Sequence, residues 1–302
     1  MVRWTDAAAV LAYRGGWRTV RLMPDAVAYP TFDRIADLVW TRRTKGAQRL
    51  RANLARVVDD PHDAPALDEL TRDGLRSYMR YWCDAFRLPD WDTDRTMGTL
   101  RAVNMEILTD AVAAGGGAVG ALPHMGNWDH AGAFVVGSGV PVTTVAERLK
   151  PEAVYEQFLA FREGLGMTIY PLQGEDDVLG RLEKAVRRND FVPLLADRDL
   201  TVSGVPVTLL GERATMPAGP AALALRTGAP LIPVSTWYEG RSPNHTVAMR
   251  FDEPIEVPDG TGTDAVRLMT QRLADVFAAR IREHPQDWHM LQRVFTADLT
   301  PR

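Results

Sequence analysis

His124-Met-Gly-Asn-Trp-Asp129 places an imidazole and a carboxylate four intervening residues apart, H-x4-D. Such a pair can make a general base. A hydroxyl is a poor nucleophile near neutral pH, and attack on an acyl carbonyl needs its proton removed during the attack. A carboxylate on one imidazole nitrogen fixes the tautomer and stabilises the imidazolium that forms. Two residues five positions apart on one regular helix sit roughly 140° apart and cannot meet. Here the apolar run Gly117–Pro123 reads as a short buried strand, and Asn127–Val136 as the start of a helix. A strand-end loop then carries His124, and a first helical turn lets Asp129 fold back onto the ring. No Gly-x-Ser-x-Gly elbow accompanies the pair, which argues against a covalent serine hydrolase and for direct transfer to a bound alcohol.

Other charged groups follow predicted strands. Phe191–Ala196 runs into Asp197-Arg198-Asp199. A buried strand emptying into three charges requires them to be paired. One acid is expected near the histidine, with Arg198 pairing the acids or binding a substrate anion. Glu147-Arg148-Leu149-Lys150 also follows a strand and is expected to meet Arg162 across the next helix, as a charged rim for a polar substrate. Metal chemistry is not expected. His130 would point away from Asp129 on a helix, His62, His245, His284 and His289 are scattered, and neither H-E-x-x-H nor C-x-x-C spacing occurs. The single Cys83 reads as a packed thiol and excludes an internal disulfide.

The elements that position these groups follow from periodicity. From Gly117 onward, strands are expected at 118–122, 142–146, 168–171, 191–196, 206–210, 231–238 and 246–251. Helices are expected at 127–137, 151–164, 175–188, 217–227 and 262–283. This alternation predicts an α/β fold, a mixed or parallel sheet of about seven strands with helices on both faces. Residues 1–302 form one expected domain, with a strand–helix catalytic core at 117–256. The first third reads as helical, including 66–87 and 93–114. Phe32, Ile35, Ala36, Val39 and Trp40 share one helix face, flanked by Arg34, Arg42, Arg43 and Lys45. Residues 1–56 hold eleven Lys/Arg against four Asp, leaving −11 for the rest of a chain whose net charge is −4. Residues 1–60 are therefore read as a basic docking region for an anionic membrane surface. No nucleic-acid module is recognisable. No apolar run reaches the ~18 residues of a membrane span, and no signal peptide is apparent.

Together these motifs resemble the lipid A biosynthesis acyltransferases, within the wider H-x4-D acyltransferases. The likeness extends from Arg51-Ala-Asn53-Leu54 through His124–Asp129, Asp197-Arg-Asp199, Met216-Pro-Ala-Gly219 and Leu223–Pro230 to Pro285-Gln-Asp-Trp288. Tyr81–Pro89 and Ala196–Leu200 are similar to the actinobacterial branch that acylates phosphatidylinositol mannosides. The resemblance implies transfer of a long-chain acyl group, typically palmitoyl, from acyl-CoA to a mannose hydroxyl of a glycolipid acceptor. It implies a peripheral protein at the cytoplasmic face of the inner membrane, with acyl-CoA as co-substrate and no cofactor. It carries His124 as base and Asp129 as its partner. Glu147, Arg162 and Asp197–Asp199 follow as acceptor contacts or supports of the histidine, leaving open which of Asp197 and Asp199 faces His124. Two other readings fit the sequence: an H-x4-D enzyme with another glycolipid or a glycerophosphate acceptor, and a non-catalytic lipid-binding protein.

Overall fold

The computed structural model describes residues 15–147, 152–172, 177–199, 204–259 and 262–299. Residues 15–22 are helical. Then follow α1 (Asp25–Thr41), α2 (Lys45–Leu54), α3 (Ala64–Arg87) and α4 (Thr93–Gly98). The strand–helix region runs β1 (Leu100–Val103), α5 (Met105–Ala113), β2 (Ala118–Leu122), α6 (Trp128–Gly137), β3 (Thr143–Ala146), α7 (Glu152–Gly164), β4 (Thr168–Pro171) and α8 (Val178–Arg187). It continues with β5 (Phe191–Leu195), β6 (Val205–Leu209), β7 (Glu212–Met216), α9 (Gly219–Thr227), β8 (Leu231–Glu239), β9 (Thr246–Phe251) and α10 (Thr263–Glu283).

The main sheet has five strands, in the order β1-β9-β8-β2-β5. β8 and β9 are antiparallel and the other neighbours parallel, so the sheet is mixed. The sheet of seven expected from sequence is thus divided. β3 and β4 form their own parallel pair, joined to β5 by a bridge from Val142 to Phe191 and by the Thr144 hydroxyl, which donates to the Pro193 carbonyl at 2.5 Å. β6 leaves the sheet to make a hairpin with β7. The sheet edge is instead β1, inside the stretch 93–114 read as one helix. Asn104 explains the break: at φ +56° it is left-handed, which a continuous helix does not tolerate.

β2 is buried along its whole length, as expected of a parallel strand covered on both faces. Its side chains alternate: Val119 and Ala121 enter the core built with α8, α9 and α10, while Ala118 and Leu122 enter the core built with α5, α6 and α7. The small-residue helix α9 buries Ala221, Leu223 and Ala224 in the first of these cores. In α1, Phe32 and Ala36 are buried and Val39 and Trp40 pack against the core, so the face expected to meet lipid mostly turns inward. Burying its aromatics removes more apolar area from water than burying the outer side chains would. Ile35 remains exposed, with Val27 and Leu38 on the outer side. No helix among the described residues is long and apolar enough to cross a membrane.

The C-terminal segment after α10 crosses the ends of β2 and β8 as a strap. Gly126 N–H donates to the Asp287 carbonyl (2.9 Å), His289 N–H donates to the His124 carbonyl (2.8 Å), and Met125 bridges Trp288. Asn53 of α2 secures the strap, its side-chain N–H donating to the Met290 and Gln292 carbonyls at 2.7 and 2.9 Å. Asn53→Ala leaves the buried Met290 carbonyl without this donor and should cost about 1–3 kcal/mol. Urea unfolding checks this, and an unchanged midpoint would show the clamp to be dispensable.

Candidate active site

β2 ends at Leu122, paired in register with Leu195 of β5. The two strands therefore deliver their following loops side by side, His124 from one and Asp197 from the other. Gly126 lets the first loop turn tightly. It has φ +56°, and a Cβ there would meet the Thr236 backbone at 2.5 Å. The strap closes the other side.

His124 Nδ1 lies 2.5 Å from Asp197 Oδ1, and the His124 amide donates to Asp197 Oδ2 at 2.9 Å. Trp288 Nε1–H donates to the same Oδ2 at 2.9 Å. Asp197 is completely buried. Burial alone would raise its pKa, but His124 and these hydrogen bonds hold it below the ordinary carboxylate value. With Nδ1 occupied, Nε2 is the ring nitrogen left to act as base.

Asp129 does not buttress the imidazole. It sits in the first turn of α6, whose start is capped by the Asn127 side chain accepting from His130 N–H at 2.9 Å. Its oxygens are taken by Arg162 of α7, at 2.6 and 3.3 Å, and by the Tyr81 hydroxyl of α3 at 2.8 Å. A bidentate guanidinium outcompetes a ring nitrogen for this carboxylate, and the pair secures α7 to α6. Burial works to lower the Arg162 pKa, but Asp129 more than offsets it, so the guanidinium stays charged.

The expected meeting of Glu147 with Arg162 does not occur for the same reason. Glu147 instead lies 3.4 Å from Arg198, a loose pair. Asp199 accepts from the Gly204 amide at 3.2 Å and is not part of the cavity lining. Arg148 and Lys150 lie outside the described residues. His130 is buried, its Nε2 2.8 Å from the Thr96 carbonyl, and Cys83 is buried too. No metal-holding cluster of His, Cys, Asp and Glu occurs among the described residues.

His124 lines a cavity of about 410 Å³. Its polar lining includes Asp129, Glu147, Arg162 and Arg198. Its interior is apolar: α6 contributes Ala131, Gly132 and Val135, and the sheet contributes Phe191, Val234 and Met249. An apolar space beside a buttressed imidazole suits a fatty acyl group whose carbonyl stops at the histidine. Sequence reasoning missed Tyr81 and Trp288. Both lie in motifs that carry the resemblance but were given no role; a buried phenol or indole N–H needs a partner, and here the partners are the two site acids.

Comparison with known proteins gives the family. The model of the bacterial lipid A biosynthesis acyltransferases matches residues 1–297. The chain belongs to this family. It is an acyltransferase. A phosphatidylinositol mannoside acyltransferase of Mycolicibacterium smegmatis is 46% identical over 291 residues, covering 96% of this chain and 92% of that protein. A protein of the same name from Mycobacterium tuberculosis is 44% identical over 299 residues, covering 98% and 91%.

His289 also lines the cavity; its Nε2 lies 2.8 Å from Ser77 Oγ, which donates to Asp287 Oδ1 at 2.5 Å. Burial, with His124 nearby, lowers the His289 pKa to about 3, and burial raises that of Asp287 to about 6. The two act with opposite signs. His289 is neutral when folded but takes a proton when unfolded below about pH 6.5, so its contribution is lost as pH falls from there toward 3. Asp287 instead costs stability as pH rises from about 4 to about 6. His289→Gln should flatten the fall in melting temperature from pH 6.5 down to pH 4, measured by thermal unfolding across about that range. An unchanged slope would place the acid sensitivity elsewhere.

Proposed function

We propose that this acyltransferase moves a long-chain acyl group, palmitoyl by preference, from acyl-CoA to a mannose hydroxyl of a phosphatidylinositol mannoside. The observation that carries the chemistry is the His124 ring held by buried Asp197 at the edge of an apolar cavity. The names of the two relatives support the acceptor.

In this reading the acyl chain occupies the space beside α6, and the thioester carbonyl stops near His124. His124 Nε2 takes the proton of the sugar hydroxyl as its oxygen attacks the carbonyl carbon. The carbon–sulfur bond then breaks, and the proton passes from the imidazolium to the departing CoA sulfur. Asp197 stabilises the imidazolium in between. The N-terminus of α6 faces the developing oxyanion with its helix dipole. Glu147, Arg198 and the Arg162–Asp129 pair offer charged and hydrogen-bonding groups to the sugar headgroup. No metal or cofactor is needed for these steps.

The acceptor is a lipid, so the protein works at a membrane, here the cytoplasmic face of the inner membrane. The outer side of α1 carries Val27, Ile35 and Leu38 beside exposed Arg34, and Arg42, Arg43 and Lys45 follow, also exposed. Apolar residues with a basic fringe suit an anionic lipid surface.

His124→Ala should lower transfer by about 10²–10⁴-fold, the usual worth of a general base, while the protein stays folded and still binds palmitoyl-CoA. Asp197→Asn should do similar damage by holding the wrong tautomer. Near-normal turnover in either would remove the mechanism, and faster transfer to a glycerophosphate or lipid A precursor would replace the acceptor. Reversing Arg42, Arg43 and Lys45 to Glu should weaken co-sedimentation with phosphatidylglycerol vesicles by on the order of 10²-fold, at about 1 kcal/mol per basic residue. Unchanged binding would make α1 an ordinary packing helix.

A further inference from the structure

Another buried carboxylate lies beside the active-site loop and takes no part in the chemistry above. Asp84 of α3 has no solvent exposure. Its Oδ1 accepts from the Tyr29 hydroxyl of α1 at 2.7 Å. Its Oδ2 accepts from the Asn127 side chain at 3.2 Å and the Tyr238 hydroxyl at 2.9 Å, and lies 3.1 Å from His245 Nε2. Burial works against its charge, but His245 and the hydroxyl donors hold its pKa down to about 2.

The four donors come from different parts of the chain. Tyr29 lies on the inward side of α1, opposite Val27, because two positions along a helix turn it by about 200°. Asn127 is the N-cap of α6, so its other end fixes the turn between His124 and Asp129. One carboxylate therefore joins the proposed lipid-facing helix to the loop that carries the imidazole. Tyr29 is also the hydrogen-bond donor that serves Oδ1. If α1 lifts, that oxygen is left charged, buried and unsatisfied, and the carboxylate can regain a donor only by disturbing the others.

We propose that Asp84 is a positioning residue through which the seating of α1 on lipid sets the geometry of the His124 loop. The proposal rests on the acyl-transfer reading and on α1 as the docking element. It makes the enzyme faster on a membrane than in solution, over and above the concentration of substrate there.

The test measures palmitoyl-CoA cleavage by free-thiol release without a glycolipid acceptor, water taking the place of the hydroxyl. Each protein is assayed with and without phosphatidylglycerol vesicles. Vesicles should stimulate the wild type roughly fivefold or more, the lower end of ordinary coupling between sites. Tyr29→Phe should sediment with vesicles as wild type does and stay folded at the assay temperature, with a lowered melting point, yet lose most of the stimulation. Tyr238→Phe removes a donor from the same carboxylate without touching α1. It should lower both rates together and keep their ratio. Coupling through Asp84 is overturned if the wild type is not stimulated, if Tyr29→Phe is stimulated normally, or if Tyr238→Phe loses the ratio equally. A wild type that cleaves no palmitoyl-CoA at all sinks the acyl-transfer reading itself.

Discussion

Asp197 is charged, wholly enclosed and only two residues beyond the end of a buried strand. An ion in that position is tolerable only if its oxygens are occupied, and three donors do so: the His124 amide, the His124 ring and the Trp288 indole. Each donor imposes a condition on the fold. The first two require β2 and β5 to be adjacent and in register, and the third requires the C-terminal strap to lie across them. The parallel pairing at the sheet centre is thus also the condition for a competent imidazole. Losing one partner would leave a buried charge uncompensated, a far larger penalty than the net worth of any one of these bonds.

Helix α3 supplies the next layer of constraint. Ser77, Tyr81 and Asp84 stand at i, i+4 and i+7, one face of a helix. They bond to Asp287 of the strap, Asp129 of α6 and the Asn127 cap respectively. A single rigid rod therefore fixes both the strap and the start of α6 around the imidazole. Arg162 adds a fourth contact by tying α7 to Asp129. This explains why Asp129 belongs in the site although it does not touch His124: it keeps a guanidinium at the cavity and α6 in place.

Much of this was legible in the sequence. The strand before His124, the helix after it and the charged end of β5 follow from apolar runs and caps, which are local signals. The partner of His124 was legible only in part: one acid of Asp197-Arg198-Asp199 was expected near the ring, but the buttressing role was given to Asp129. Asp129 is near in the chain and Asp197 is far, and the choice depends on β2 lying beside β5, although five other elements separate them in sequence. Strand order is a long-range property that periodicity does not encode. In α1 the pattern gave a helical face correctly but not its direction, because Phe32 and Trp40 serve a core as well as they would an interface. At 93–114 the helical periodicity on both sides of Asn104 concealed a four-residue strand, which is too short to declare itself by alternation.

The strap has a temporal meaning as well. Trp288 and His289 leave the ribosome long after His124, so the histidine loop spends most of synthesis without the indole and the backbone bond that complete it. A partly made chain cannot present the finished base. Until the strap is laid down, Asp197 lacks its indole donor and the His124 carbonyl its amide, so the loop is completed by a segment made long after it.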